Sequence, residues 1–355
     1  MNQYRRTAAH IDLDAIRANY AFADSLAPAS RTVAVVKGDA YGHGAARVAK
    51  ALEADAAAYA IATVEEAMEL REAGIGTDLL VLEGTISAQT AADCVAAGIT
   101  LRVNSAEQAQ VARSARARVW VKVDTGMRRL GIDPQDLDEV LAGQRSAGAG
   151  DSADSTHLAC ADERDNDMTR RQLETFLACA QDCGAPLSIA NSAAMLAWPA
   201  SHTDWNRPGI MLYGVSPLPD EAQWARQLQV AMRFVAEVIA VRDVPVGGSV
   251  GYGARWTAER PSRIATLAAG YADGYPRHAP NGTPTFVNGQ LAPLVGTVSM
   301  DMMAIDVTGL DGVAAGDLVE LWGPDVDVNE VAALAGTIGY ELVTGVSRRV
   351  PRIYD

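Results

Sequence analysis

The residues with the clearest capacity for chemistry lie in Val33-Ala34-Val35-Val36-Lys37-Gly38-Asp39-Ala40-Tyr41-Gly42-His43-Gly44. Four small or β-branched apolar residues read as a short strand buried on both faces, with a lysine at its carboxyl end. A glycine-bearing loop follows, and Ala45–Leu52 then reads as a helix. In α/β folds the carboxyl ends of strands are where chemistry is placed. An amine there, desolvated by apolar neighbours, can lose its proton and form a Schiff base with a carbonyl. Taken alone, the stretch fits somewhat better a lysine whose stem lies along the strand end while its ammonium stays in water.

Other stretches carry reactive side chains. Val121-Lys122-Val123-Asp124-Thr125-Gly126-Met127-Arg128-Arg129-Leu130-Gly131 ends a further strand. By itself Arg129 reads as a solvated arginine. Thr156-His157-Leu158-Ala159-Cys160 places a histidine inside a buried strand, where a satisfied core histidine is the commoner case. Ala190-Asn191-Ser192-Ala193-Ala194 is compatible with a generic turn. Tyr252 stands between Gly251 and Gly253, unshielded, and could project into a site or simply lie on a surface or interface. Cys94, Cys160, Cys179 and Cys183 form no C-x-x-C pair and have no histidine at zinc spacing, so no metal site is expected.

The Lys37 stretch closely resembles the cofactor-lysine signature of the alanine racemases. Five further motifs match that family in order, down to Arg349-Val350-Pro351-Arg352. The resemblance implies pyridoxal 5′-phosphate (PLP) carried on Lys37, with Tyr41 at its phosphate. Ser192, Gly209, Ile210 and Tyr340 are implied at the phosphate as well. A hydroxyl and exposed backbone N–H groups, one on a glycine, suit that task. Arg207 is implied behind the cofactor ring, linked through His157 to a catalytic tyrosine. Arg129 and the backbone of Met300 are implied at the substrate carboxylate, a role that suits a guanidinium fork. Lys122 matches a lysine often carbamylated in the family. Tyr271 falls in the entrance region. Thr297 stands where many members carry arginine, which alters the charge of the entrance and leaves the core chemistry alone.

Arg207 bears on the reaction type. Arginine does not give up its proton at ordinary pH, so the pyridine nitrogen it faces stays an acceptor. PLP enzymes that use the ring as a full electron sink place a carboxylate there. An arginine favours return of the proton to Cα over transamination, and hence racemisation. The resemblance implies interconversion of L- and D-alanine with Lys37 and Tyr252 as catalytic bases on opposite faces, Tyr252 coming from the partner in a homodimer. D-Alanine would serve peptidoglycan. The rivals are a racemase of broader or serine specificity, a barrel decarboxylase, and a PLP-binding carrier. The carrier relatives lack a β domain, and the decarboxylase mechanism asks for a carboxylate where Arg207 stands.

The resemblance implies a cytoplasmic enzyme acting on a small molecule, and the composition is that of an ordinary globular protein. With 355 residues, 49% hydrophobic and 21% charged, the chain can bury a large core across about two domains. A net charge of −14 argues against a nucleic-acid partner. No apolar stretch of about 18 residues indicates a membrane span, and Met1–Thr7 has no signal-peptide run behind it.

The elements that must position these residues follow a repeating order. A helix is expected over 11–27. Strands are expected at 33–36, 58–62, 79–82, 99–103, 119–123, 156–160, 187–190 and 210–213. Thr63 with Glu66, and Ser105 with Gln108, read as capping boxes, and Gly98 as a helix-ending glycine. A long helix is expected around 169–180 and a loop over 142–153. Eight strands alternating with helices predict a (β/α)8 TIM-type barrel over 8–227, with an open doubly wound sheet as the alternative. Runs at 230–241, 263–269, 284–288, 291–298 and 303–307, with turn dipeptides Asn281-Gly282 and Asn288-Gly289, predict a mainly β C-terminal domain over 228–355. Residues 1–7 are expected to pack with it, and Val328–Ala335 to form a short helix.

Overall fold

The computed structural model describes residues 6–146, 153–180, 183–218 and 222–355. Eight parallel strands close into a barrel: β2 (Arg31–Val35), β3 (Ala58–Ile61), β4 (Leu79–Val81), β5 (Ile99–Val103), β6 (Val119–Lys122), β7 (Ala153–Ser155), β8 (Leu187–Ser188) and β9 (Trp205–Asn206). The strand before them, β1 (Ala8–Ile11), lies elsewhere. Side chains of the barrel strands alternate between two apolar layers. Val33, Val35, Ala58, Ala60, Leu80, Trp120 and Ala153 fill the interior with Trp205. Ala34, Tyr59, Ile61, Val81, Leu101 and Val121 join the core shared with the surrounding helices. Burial on both faces is why these strands read as continuous apolar runs.

The connecting helices begin where the sequence provides caps. Thr63 and Glu66 form the expected reciprocal box at the start of helix 64–72. At helix 106–115 only half of it forms. Ser105 accepts from Gln108 N, but the Gln108 side chain reaches one residue further back, to Asn104 N at 2.8 Å. Helix 88–96 ends before Gly98, at φ 64°.

The second domain is a β-sheet that takes in the amino-terminal strand. Its strands are β10 (Met232–Val244), β13 (Ser262–Leu267), β14 (Pro284–Val287), β15 (Gln290–Val295), β16 (Met303–Asp306), β17 (Leu318–Trp322) and β18 (Arg352–Tyr354). Between β10 and β13 a small hairpin forms from β11 (Ser249–Val250) and β12 (Trp256–Thr257). Strand β1, inside the range expected for the barrel, pairs instead with β10 and β18. Asn288 and Gly289, at φ 49° and 81°, make the positive-φ turn between β14 and β15. Asn281 stays at ordinary φ and acts through its side chain, which bonds Gly296 N at 2.7 Å and Arg255 O at 3.0 Å.

Several expected elements are displaced. The barrel strand expected at 156–160 is 153–155, so His157 follows the strand and is not inside it. The one expected at 210–213 is 205–206. Pro208 interrupts the run, and Ile210–Tyr213 form a buried 3-10 turn against helix 13–25, where Asn19 Nδ2 donates to Leu212 O at 3.1 Å. Deep burial there imitates a strand in the sequence. Residues 142–146 of the expected loop continue helix 137–146, and 147–152 lie outside the described residues. Strands β17 and β18 and helix 339–345 were not among the expected elements, whereas helix 328–335 falls as expected.

Candidate active site

Lys37 follows β2 and opens a left-handed turn. Gly38, Asp39, Ala40 and Tyr41 all have φ between 52° and 63°. Three of these carry a Cβ, and left-handed helical backbone costs about 1–2 kcal/mol for each such residue. The surroundings hold the turn in place. His43 Nδ1 lies 3.1 Å from Ala40 O and 3.0 Å from Tyr41 O. Asp39 Oδ1 accepts from Ala45 N at 2.8 Å, and Arg352 Nε donates to Gly42 O at 3.0 Å. Burial lowers the pKa of both Lys37 and His43, the latter to about 4, so His43 is neutral. For Lys37 the charges of Arg129 and Arg102 add to the effect, against Glu66 and Glu83.

Lys37 opens onto a cavity of about 420 Å³ at the carboxyl ends of the barrel strands. One end is lined by hydroxyls and backbone. Ser192 Oγ accepts from Gly209 N at 2.8 Å. A Cβ on Gly209 would stand 2.5 Å from Tyr41 Oη, so only glycine allows this approach. The Tyr41 ring is 5.0 Å from that of Tyr213 and 6.2 Å from that of Tyr340. Burial raises the pKa of both Tyr41 and Tyr340, leaving them as O–H donors.

Arg207 follows β9 and is buried. It bonds Ser188 Oγ, Thr156 O at 2.6 Å and Ile189 O at 3.2 Å. Burial lowers its pKa to about 10, so it remains a cation near neutrality. The expected hydrogen-bond link from Arg207 to His157 is not found among the described residues, because the guanidinium is turned to backbone carbonyls and Ser188. His157 lines the same cavity and feels Arg207 only as a charge, which with burial lowers its pKa.

The opposite wall is strongly cationic. Lys122 ends β6, buried, and its pKa falls to about 7 through desolvation and the charges of Arg102 and Arg129. Arg129 sits on loop 124–131. Asp124 shapes that loop by accepting from Gly126 N at 2.9 Å and Arg128 N at 3.0 Å, and Ile132 N closes it on Lys122 O at 2.9 Å. The buried Gln172 braces both neighbouring segments, donating to Thr125 Oγ1 at 3.1 Å and His157 O at 2.9 Å.

The cavity therefore unites Lys37, Tyr41, Lys122, Arg129, His157, Ser192, Arg207, Gly209, Ile210 and Tyr340. Tyr252, Tyr271 and Met300 are absent from its lining. They are 73%, 40% and 54% exposed on the β domain, and their loops are bonded to one another. Thr297 Oγ1 donates to Tyr252 O at 3.1 Å, Tyr271 N to Ser299 O at 3.0 Å and Ala272 N to Met300 O at 2.9 Å.

Sequence reasoning missed Arg102, Asn104 and Gln172. The available signal was a charged or amide side chain within an otherwise apolar periodic run, Ile99-Thr100-Leu101-Arg102-Val103 being the plainest case. Chemically, the cavity can hold a small molecule with an anionic group against Ser192 and Gly209 and a carbonyl carbon at the Lys37 amine. Among the described residues no cluster of three or more His, Cys, Asp or Glu could hold a metal, and no helix is long and apolar enough to cross a membrane.

Comparison with known proteins agrees along the whole chain. The family patterns described as alanine racemase, N-terminal domain and alanine racemase, C-terminal domain match residues 11–217 and 231–354. The chain is 48% identical to the biosynthetic alanine racemase of Pseudomonas aeruginosa over 356 aligned positions, covering 99% of each. The crystal structure of the biosynthetic alanine racemase of that organism superposes with a TM-score of 0.95, covering 99% of each chain. The alanine racemase of Bartonella henselae, described with covalently bound pyridoxal phosphate, superposes with a TM-score of 0.89 at 32% identity, covering 98% of this chain and 99% of that one. The chain belongs to the alanine racemase family.

Proposed function

We propose that the protein interconverts L- and D-alanine using PLP held at the barrel mouth, by a two-base route shared between the subunits of a homodimer. The observation that carries this reading is the convergence of Lys37, Arg207 and the Ser192–Gly209 pair on one cavity. The donor set fits the cofactor: an amine of lowered pKa for its aldehyde, and for its phosphate the hydroxyls of Tyr41, Ser192 and Tyr340 beside the close approach that Gly209 permits. When bound, PLP supplies an aldehyde that bonds amines reversibly and a ring that draws electrons from the substrate Cα.

The chain's own groups do the rest. Tyr41, Ser192, Gly209, Ile210 and Tyr340 hold the phosphate. Arg207 would stand at the ring nitrogen and, staying charged, would keep that nitrogen an acceptor. His157 lines the same cavity within reach of the Arg207 charge. Arg129 grips the substrate carboxylate, with the partner subunit's Met300 backbone completing that grip. Lys37, an amine whose pKa burial lowers, would take or return the Cα proton on one face. The partner subunit's Tyr252 serves the other face, and the partner's Tyr271 narrows the entrance. The exposure of all three β-domain residues on one bonded loop cluster supports a role across an interface. Lys122 carries a carbamate in this reading, an anion that orients Arg129. The product serves peptidoglycan synthesis, and the enzyme works in the cytoplasm.

The test is to incubate the pure protein with PLP and L-alanine and to measure D-alanine by chiral chromatography. D-Alanine should form, and borohydride reduction should fix the cofactor on Lys37. A label on another lysine, or no D-alanine, would overturn the reading.

A further inference from the structure

Arg102 lies on β5, opposite Trp120 and diagonal to Lys122 of β6. It lines the cavity and is only 6% exposed. Its Nε and Nη2 have no hydrogen-bond partner, and among the described residues no carboxylate pairs with it. Its neighbour Arg207, equally buried, is satisfied by a hydroxyl and two carbonyls. An uncompensated buried guanidinium is costly. Here burial pushes its pKa well below the ordinary range, and the like charges of Arg207 and Arg129 add to that.

Among the described residues, cations outnumber carboxylates in this corner. The cavity lining contains Lys37, Arg102, Lys122, Arg129 and Arg207, with Glu83 as its only carboxylate among the described residues. Asp124, near Lys122, already accepts two backbone N–H groups through Oδ1. The Ser192–Gly209 end takes the cofactor phosphate in the reading above, and Arg129 the substrate carboxylate. That leaves Arg102 facing a lysine. A lysine with a pKa of about 7 is substantially a free amine near neutrality, and a free amine reacts with carbon dioxide.

We propose that Arg102 is the positioning residue for an anion built on Lys122: its guanidinium holds the carbamate that Lys122 forms with carbon dioxide. The inference rests on the reading of Lys122 as carbamylated and adds the residue that holds the product. The lone pair of Nζ attacks the carbon of carbon dioxide, one C–N bond forms, a C=O π bond opens onto oxygen, and one proton passes from nitrogen to solvent. The group changes from a neutral amine to an anion, and any lysine that starts as the ammonium ion gives up one further proton to solvent first. Arg102 engages one carbamate oxygen and turns the other toward Arg129. A free halide is the other source of negative charge that this corner would take, and the test separates the two.

Holoenzyme is equilibrated with 13C-bicarbonate in halide-free buffer, and the carbamate carbon is followed by 13C NMR in wild type, Lys122→Ala, Arg102→Met and Arg102→Lys. Wild type should give the signal and Lys122→Ala should lack it. Arg102→Met should need about tenfold more bicarbonate for equal occupancy, the loss expected for one charged hydrogen bond. Arg102→Lys should recover part of it. KM for alanine should rise in Arg102→Met by more than kcat falls, because Arg129 loses its orientation. Without carbon dioxide, Arg102→Met should melt above wild type, since an unpaired charge has gone, and bicarbonate should reverse that order. A wild-type signal in Arg102→Met at equal bicarbonate would overturn the role of Arg102 while leaving the Lys122 reading intact. No signal in wild type at saturating bicarbonate would overturn the Lys122 reading itself. Stabilisation of wild type by chloride alone, without a carbamate signal, would assign the corner to a free anion and overturn the covalent one.

Discussion

Glu66 Oε1 accepts a hydrogen bond from the backbone N–H of Gly38 at 2.6 Å, so the cap of helix 64–72 also holds the residue next to Lys37. The other carboxylate oxygen accepts from Ala62 N at 2.8 Å. One side chain thus starts a helix and pins the left-handed turn that aims the lysine. Glu66→Ala should cost about 1–2 kcal/mol of stability, the loss of a cap and its bonds. Activity should fall by more than about tenfold, because a misaimed amine loses the advantage of orientation. Melting curves and kcat/KM measured side by side check this. Wild-type kcat/KM in a destabilised variant would mean that His43 and Arg352 hold the turn without Glu66.

In the proposed function Arg207 sets the fate of the proton. Arg207→Glu removes bonds to Ser188, Thr156 and Ile189, a loss of about 2–4 kcal/mol. Arg102, a charge neighbour of Arg207, supplies the new carboxylate with a counter-ion. A carboxyl group can protonate the ring nitrogen of the bound cofactor, which arginine cannot. Slower racemisation is expected, together with pyruvate formed from alanine by transamination. Chromatography of the keto acid decides the matter, and an unchanged racemisation rate with no pyruvate would remove Arg207 from this role.

The first half of the barrel was legible because its strands are short apolar runs buried on both faces, several of them followed by a capped helix, as at Thr63–Glu66. The last strand was misplaced because Ile210–Tyr213 are as buried as a strand while forming a 3-10 turn. Lys37, Tyr41, Ser192 and Arg207 were legible through motif resemblance, and the cavity gathers them. Arg102 was not, since its meaning depends on neighbours from β6 and the segment after β9, which adjacent sequence cannot reveal. Where Tyr252 acts is likewise beyond what local sequence expresses, because it stands on a different domain from Lys37.

Lys122 gives a pH signature in buffer free of carbon dioxide. Its folded pKa of about 7 lies below the ordinary value of 10.5. Between those values the unfolded chain binds a proton that the folded chain does not, so folded stability rises with pH across that window. Below pH 7 both states are protonated and the burial penalty is present in full. Lys122→Met should therefore be more stable than wild type at pH 6, by up to about 3 kcal/mol. The advantage should shrink by pH 9. Denaturant titrations at the two pH values test it, and a gap that is constant or widens with pH would contradict the lowered pKa.

The central claim, that Lys37 and Tyr252 act on opposite faces from two chains, is tested most directly by mixing subunits. Racemisation removes a proton on one face and returns one on the other, and two fixed bases need no swing around an anchored ring. Inactive Lys37→Ala and inactive Tyr252→Phe are combined under conditions that exchange subunits, and the heterodimer is purified through two different tags. With shared sites, one site of each heterodimer carries both substitutions and the other carries neither. Alanine racemisation should reappear, approaching one working site per heterodimer. Heterodimers that stay inactive, while wild-type dimers survive the same exchange, would contradict the account: Tyr252 would then act within its own chain or not as the second base.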